Sequence, residues 1–136
     1  MSQLTRNLST FQTLIRHSIR MLYTDPIIHL LVDFIIDHSV AEVHTFAHRH
    51  GKMMIKQVGE ALNKLHGHGL LKIREGMRLE TFKAEYYDKL LGADKEVFFK
   101  ENLNKVDLYY FNCDIKFIIK ARLYKLEEDF DVQQTK

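Results

Sequence analysis

Residues 40–66 read VAEVHTFAHRHGKMMIKQVGEALNKLH, and this stretch decides the fold. Its apolar residues recur at the spacing of one helical face before and after Gly51, which interrupts the pattern. The pattern predicts a short helix over residues 40–48 and a longer helix over residues 52–66, joined by a basic turn. Two helices joined by a tight turn form a helix-turn-helix, in which the second helix can enter a DNA groove.

Two short strands are predicted after this helix pair. Residues 70–74 and 106–111 mix apolar and polar side chains over strand-like lengths, and we expect both faces of the second strand to be partly covered. The order of short helix, turn, longer helix, strand, connection and strand is typical of a winged helix. The connection, about residues 79–105, has no sustained period, and we expect one short helix within it, near residues 83–91.

The segment before the helix pair predicts the centre of the core. Asp25 and Pro26 form a strong helix start, because aspartate caps well and proline is favoured at the first helical position. The helix that follows, to about residue 37, is apolar nearly all round. Ser39 and Glu42 match a capping box that would open the next helix.

Helices are also predicted at both ends of the chain. Ser9 and Gln12 form a capping box, so a first helix is expected to start near residue 10 with an apolar stripe and a basic back. Asp114 is expected to cap a last helix whose apolar content comes from residues including Phe117 and Tyr124, before an acidic end over residues 127–136. The predicted fold class is therefore mainly α with a small antiparallel β-hairpin, an extended winged helix formed as a single domain over residues 1–136.

Composition agrees with this fold class. With 136 residues, 46% hydrophobic and 28% charged, the chain has the make-up of one folded domain. Six glycines and one proline leave little material for the turns of a many-stranded sheet. A net charge of +2 is too small to identify a nucleic-acid binder, and the longest apolar run, residues 27–36, is too short to cross a bilayer, so no membrane association is expected.

Several segments together resemble the N-terminal winged helix of the transcription factor IIE alpha subunit and its archaeal relative. They are LVDFII at 31–36, ALNKL at 61–65, LLKIR at 70–74, YYF at 109–111 and YKL at 124–126. The resemblance covers roughly residues 14–128. The family has a four-cysteine zinc ribbon after this domain, whereas this chain has only Cys113, and the family's wing is shorter than the connection here. Zinc-dependent and wing contacts are therefore not carried over.

The resemblance implies a non-enzymatic role in the nucleus. It implies pairing with the beta subunit of the same factor, docking on the RNA polymerase II clamp, and weak, non-specific contact with promoter DNA during opening. No cofactor, metal or small-molecule substrate is implied, and the sequence has no phosphate-binding glycine loop, paired carboxylates or nucleophile elbow that would mark catalytic residues. The alternatives are a winged-helix subunit of RNA polymerase III, a stand-alone helix-turn-helix regulator, and an α-helical adaptor without a nucleic-acid role.

Basic residues on and after the helix pair are candidates for contact with DNA phosphates or with the polymerase. They are Arg49, Lys52, Lys56, Lys64, Arg74 and Arg78. The competing interpretation is a solvated helix face on which Glu60 pairs locally with its lysine neighbours. Sequence-specific reading is less favoured, since the longer helix offers only Gln57 and Asn63 as amides for bidentate base contacts.

Aromatic pairs in the connection are candidates for a partner interface, or for packing onto the domain itself. They are Tyr86, Tyr87, Phe98 and Phe99. The histidines around the basic turn are expected to be ordinary surface residues without a metal, because no cysteine or carboxylate completes a ligand set. Cys113 is expected to be a buried or half-buried thiol.

Overall fold

The computed structural model describes residues 3–51, 55–86, 90–92 and 105–134. This part of the chain forms six helices and one two-stranded antiparallel sheet, which confirms the predicted fold class. The elements are α1 (Gln3–Leu22), α2 (Pro26–His38), α3 (Val43–Arg49), α4 (Ile55–Gly67), β1 (Leu71–Met77), α5 (Leu79–Tyr86), β2 (Val106–Phe111) and α6 (Ile115–Gln134).

Helix α2 is the centre of the core, as predicted. The Asp25 side chain accepts a hydrogen bond from the Ile27 amide (2.9 Å), and Pro26 occupies the first turn. α2 packs against α1 and α4, while α1 also packs against α6 and α4 against α3. Its polar side faces α1, where Arg16 lies 3.1 Å from Asp33 and 3.5 Å from Asp37. The basic back predicted for α1 is thus partly neutralised within the domain.

The start of α1 was predicted wrongly. The helix begins at Gln3, well before the expected start near residue 10. A capping box is a local signal, and residues 3–8 contain no glycine or proline that would stop the helix from extending through it.

The capping box predicted from Ser39 and Glu42 is also wrong. Ser39 ends α2 in the left-handed conformation (φ 71°), and Glu42 is itself the N-cap of α3, accepting hydrogen bonds from the backbone amides of His44 and Thr45. Burial alone would raise the pKa of Glu42, but these bonds and those from the His44 and Thr45 side chains outweigh it and hold the pKa below its ordinary value. Glu42 is therefore a charged group stabilised inside the fold.

Because Glu42 caps α3, residues 40–42 stay extended instead of joining the helix. Ala41 forms a β-bridge to Tyr109, with both backbone hydrogen bonds at 2.9 Å. A rudimentary third strand therefore borders β2, on the side opposite β1. Nothing in the sequence around Ala41 predicts this bridge, because a single extended residue has no period.

The second strand, β2, is covered on both faces, as predicted. Tyr109 and Phe111 of β2 belong to the main core with the helices, whereas Leu108 and Tyr110 form a second cluster with Val40 and Phe82. α5 supplies the cover on this second side, since the Phe82 ring lies 5.1 Å from the ring of Tyr110. α5 spans Leu79–Tyr86, so the short helix expected near residues 83–91 starts earlier, and residues 87–89 lie outside the described residues.

The connection between the strands returns to the end of α2. A Cβ atom added at Gly92 would lie 2.6 Å from the carbonyl oxygen of Ile35 and 2.9 Å from the Ser39 Cα. Only a residue without a side chain fits so close to this backbone. In the described part of the chain, no helix has both the length and the apolar character needed to cross a bilayer.

Candidate nucleic-acid and partner interfaces

The helix-turn-helix is formed by α3 and α4, close to the predicted positions. α4 buries one side against the core and exposes the other to solvent. The exposed side carries Lys56, Gln57, Glu60, Asn63 and Lys64. This is the surface that a winged helix presents to a DNA groove.

The exposed side of α4 is only weakly positive. A cleft of about 400 Å³ lies between α4 and the start of α2, and its lining includes the carboxyl groups of Asp25 and Glu60 together with Lys64. Among the described residues, Glu60 lies within ion-pairing distance of neither Lys56 nor Lys64, so the expected local pairs are absent there. Two carboxylates beside one ammonium disfavour tight phosphate binding.

The two candidate basic residues with resolved contacts on the helix pair are partly engaged within the domain. The Lys64 ammonium lies 5.7 Å from the centre of the Tyr23 ring, within the range of a cation–π contact. The Arg49 guanidinium donates to Nε2 of His38 over 3.4 Å. Lys56 is exposed, and Lys52 lies outside the described residues.

The hairpin does not bring its candidate arginine to the exposed side of α4. Arg74 pairs with Leu108 across the sheet, and residues directly opposite in an antiparallel pair share a face. Leu108 belongs to the cluster under α5, so Arg74 projects on the α5 side of the sheet, away from the helical core. Arg78 is exposed in the link to α5. The candidate basic residues that the structure describes therefore do not share a single surface.

Among the aromatic candidates, Tyr86 packs onto the domain itself. Its ring stacks on Phe82 with centroids 4.8 Å apart and lies 5.6 Å from Tyr110. Tyr86 is partly buried in this position. Tyr87, Phe98 and Phe99 lie outside the described residues.

The histidines near the turn mostly serve local structure. His44 Nδ1 lies 2.9 Å from the Glu42 carboxylate, and His50 donates from Nδ1 to the Phe46 carbonyl (2.9 Å) while stacking on the Phe46 ring. Among the described residues, no three histidine, cysteine or acidic side chains come together as a metal site would require. Cys113 is exposed, which corrects the expectation of a buried thiol, because it lies in the turn between β2 and α6.

A polar contact that sequence patterns did not predict joins α1, α4 and α6. Tyr23, at the end of α1, places its hydroxyl 2.7 Å from Nδ1 of His68, and Arg122 of α6 donates to the His68 carbonyl (3.2 Å). Burial, followed by Arg122 and Lys64, lowers the pKa of His68, and burial raises the pKa of Tyr23. The neutral form of His68 is therefore favoured, and its Nδ1 shares one hydrogen bond with the Tyr23 hydroxyl.

The outward side of α6 carries two large exposed side chains. Phe117 is 71% exposed and Tyr124 is 63% exposed, although both were expected to contribute to the apolar content of this helix. The core-facing side consists of Ile115 and Ile119, which are 0% and 4% exposed. A helical-wheel count from Ile115 separates the two sides, and that is the signal that could have revealed the exposed rings.

No protein-family model matches the chain. A search of curated proteins finds no match either.

Proposed function

We propose that this chain is a general RNA polymerase II initiation module similar to the extended winged helix of the transcription factor IIE alpha subunit. In this role it pairs with a beta subunit, docks on the polymerase clamp in the nucleus, and contacts promoter DNA weakly. The observation that carries the proposal is the closing of the winged helix by flanking helices. α1 packs on α2 and α6, and Arg122 of α6 is tied to the loop before β1.

The aromatic strand supports the same assignment. Tyr109, Tyr110 and Phe111 occupy the central position of the small sheet, between β1 and the Ala41 bridge, and all three are buried. Burial in the sheet therefore explains why this segment, which is one of those that carry the resemblance, consists of aromatic residues. They fix α6, which follows β2 directly, against the domain.

The charge on α4 supports weak, sequence-independent DNA contact. Sequence reading needs side chains that hydrogen-bond base edges, and of the two amides on this helix, Asn63 lies 3.5 Å from the Tyr109 hydroxyl. With carboxylates beside the lysines, the remaining interaction is a modest phosphate contact that falls with salt.

In this role the domain acts through binding alone. A protein that binds the open complex of polymerase and DNA better than the closed one shifts the equilibrium toward opening by that difference in affinity. The chain therefore needs no nucleotide hydrolysis. It needs two docking surfaces whose relative position is fixed. A domain in which α1 and α6 pack against the core would fix that position.

Duplex binding by the full chain separates this proposal from its alternatives. We expect weak binding of 20-base-pair duplexes in a gel shift, equal for unrelated sequences and decreasing as salt rises. A preference of a hundredfold or more for one sequence would favour a stand-alone regulator. No duplex binding at low salt would favour an adaptor without a nucleic-acid role.

Reversing the charge of Arg49 and Lys52 to Glu tests the basic turn. We expect the double variant to weaken association with duplex DNA or with polymerase by about tenfold, since each lost phosphate contact is worth a few-fold at low salt. The matched control is Lys72→Glu with Lys105→Glu, both exposed and away from the turn. Unchanged association with an unchanged melting temperature would place the docking surface elsewhere.

A further inference from the structure

Helix α3 carries two histidines four residues apart. Of the eight histidines in the chain, His44 and His48 are the only two separated by three or four residues. Both lie within α3, and residues at this spacing share one side of a helix, with Cβ atoms about 5–6 Å apart. Helical side chains lean toward the N-terminus of the helix, so the His48 side chain leans toward His44.

The ring of His44 is oriented by a buried carboxylate. Its Nδ1 lies 2.9 Å from the Glu42 carboxylate, and the Glu42 side chain is 4% exposed whereas the His44 side chain is 57% exposed. The other ring nitrogen, Nε2, has no hydrogen-bond partner among the described residues. A carboxylate at one ring nitrogen fixes the tautomer of an imidazole and makes the other nitrogen a better metal ligand.

The negative charge of Glu42 is not matched by a lysine or an arginine. Its carboxylate accepts hydrogen bonds from the backbone amides of His44 and Thr45 and from the Thr45 hydroxyl. In the described part of the chain, His44 is its one partner within ion-pairing distance. A buried carboxylate in this position favours a cation on the imidazole beside it. The sequence pattern did not place a carboxylate next to this histidine, whereas the structure does.

His48 is available as a second ligand. It is exposed, and it makes no hydrogen bond, ion pair or ring contact with any other described residue. Its ring can therefore turn toward His44 without breaking a contact. The one arginine of α3, Arg49, has its guanidinium 3.4 Å from Nε2 of His38 on α2.

We propose that His44 and His48 bind a divalent transition-metal ion such as zinc, with Glu42 as a positioning residue. Two histidines four residues apart on one helix are a recurring pair of zinc ligands. Imidazole nitrogens suit zinc, nickel and copper, whereas calcium and magnesium take oxygen ligands.

This site has two protein ligands, fewer than a resident metal centre. Groups of three or more suitable side chains are absent among the described residues. Since zinc takes four ligands, water fills the remaining positions and the ion exchanges with solvent. The proposal does not rest on the proposed function, because it concerns zinc binding by the chain alone. A negative result here would leave the polymerase-docking proposal standing.

Isothermal titration of the full chain with zinc chloride at pH 7.5 tests the site. We expect one zinc ion per chain, and we expect His44→Gln and His48→Gln each to weaken binding by about tenfold, since each removes one of two ligands. His17→Gln is the matched control, because His17 is an exposed histidine of α1 without a second histidine on the neighbouring turns. His17→Gln should bind zinc as the unmodified chain does. Since His48 makes no contact in the fold, His48→Gln should also melt at the same temperature without zinc.

Glu42→Gln tests the positioning role. Glutamine keeps a side-chain oxygen that can accept from the amides at the start of α3 but removes the charge beside His44. We therefore expect zinc binding to weaken by about tenfold. A purely structural role for Glu42 would lower the melting temperature and leave the zinc affinity of the folded chain unchanged.

Four results would overturn the proposal. They are no zinc binding by the unmodified chain, zinc affinity that is unchanged in both His44→Gln and His48→Gln, an equal loss of affinity in His17→Gln, and zinc binding that occurs only together with dimerisation in light scattering.

Discussion

A single histidine illustrates how residue-level chemistry holds this domain together. The Nδ1 atom of His68 shares a hydrogen bond with the Tyr23 hydroxyl, and the His68 carbonyl oxygen accepts a hydrogen bond from the Arg122 guanidinium. One residue of the loop between α4 and β1 therefore links the end of α1 to the first half of α6, two helices that are far apart in sequence. Neither partner could be predicted from local pattern, because the contact depends on how the helices pack.

The His68 contact predicts a loss of stability in mild acid. Burial and the nearby Arg122 and Lys64 charges lower the pKa of His68 in the folded state, below its ordinary value of 6.5. The unfolded chain then binds the proton more readily, so the free energy of unfolding should fall as the pH drops below about 6.5. Urea denaturation at pH 7.5 and pH 5.5 measures this difference.

The matched variant for this measurement is His68→Gln, which removes the titrating group and keeps a polar side chain. The other seven histidines of the chain are the same in both proteins. We therefore expect a smaller fall in stability for the variant between the two pH values. An equal or larger fall would mean that His68 is not the source.

Phe34 tests the packing of the core at the same scale. Its ring is 5% exposed and meets the Phe46 ring edge-on, with centroids 5.6 Å apart. Phe34→Ala should lower the free energy of unfolding by about 3–5 kcal/mol, because the cavity cannot collapse within packed helices. Leu14→Ala is the control, since Leu14 is 46% exposed and its loss should cost well under 1 kcal/mol. Equal urea midpoints for the two variants would refute the burial of Phe34.

At the scale of elements, the sequence predicted the type and order of the main helices and strands but not their junctions. The second strand was predicted at its observed bounds. The start of α2 was predicted with its cap, because the helix-start signal of Asp25 and Pro26 depends only on neighbouring residues. The capping box predicted from Ser39 and Glu42 was wrong, because Ser39 ends α2 whereas Glu42 caps the start of α3. Which solution occurs depends on the pairing of Ala41 with Tyr109, a long-range contact.

The candidate site was predicted less well than the fold, for a related reason. Arg74 follows the helix pair closely in sequence, but the sheet register turns it to the α5 side. Side chains alternate between the two faces of a strand, but when both faces carry apolar residues this alternation does not indicate which face packs against the core. The exposed rings of α6 were misplaced because apolar content was counted without regard to the side on which it lies.

The contact between the strand connection and α2 predicts opposite effects for two glycine substitutions. Gly92→Ala should destabilise the protein by about 1–3 kcal/mol, because a Cβ atom 2.6 Å from the Ile35 carbonyl oxygen forces the backbone apart. Gly59 lies within α4 with nothing within 4 Å of an added Cβ, so Gly59→Ala should stabilise the protein by about 0.5–1 kcal/mol. Thermal unfolding followed by circular dichroism measures both. A neutral Gly92→Ala would show that the connection does not rest on α2.

At the scale of the whole molecule, the sheet organises the surfaces. The main helical core lies on one side of β2 and α5 lies on the other, so the second half of β2 is buried on both faces, whereas residues 74–76 of β1 are exposed. Among the described residues, the outward sides of α4 and α6 are exposed to solvent. The first carries lysines and carboxylates, and the second carries two exposed aromatic rings among lysines and carboxylates.

We propose that this extended winged helix works by docking on the transcription machinery. The most direct test is a pull-down in which the tagged full chain is mixed with the purified beta subunit of factor IIE and RNA polymerase II of the same organism. We expect both to be retained at 150 mM salt, with no preference among duplex sequences. Retention of neither protein, with tight binding of one duplex sequence, would contradict docking on the transcription machinery.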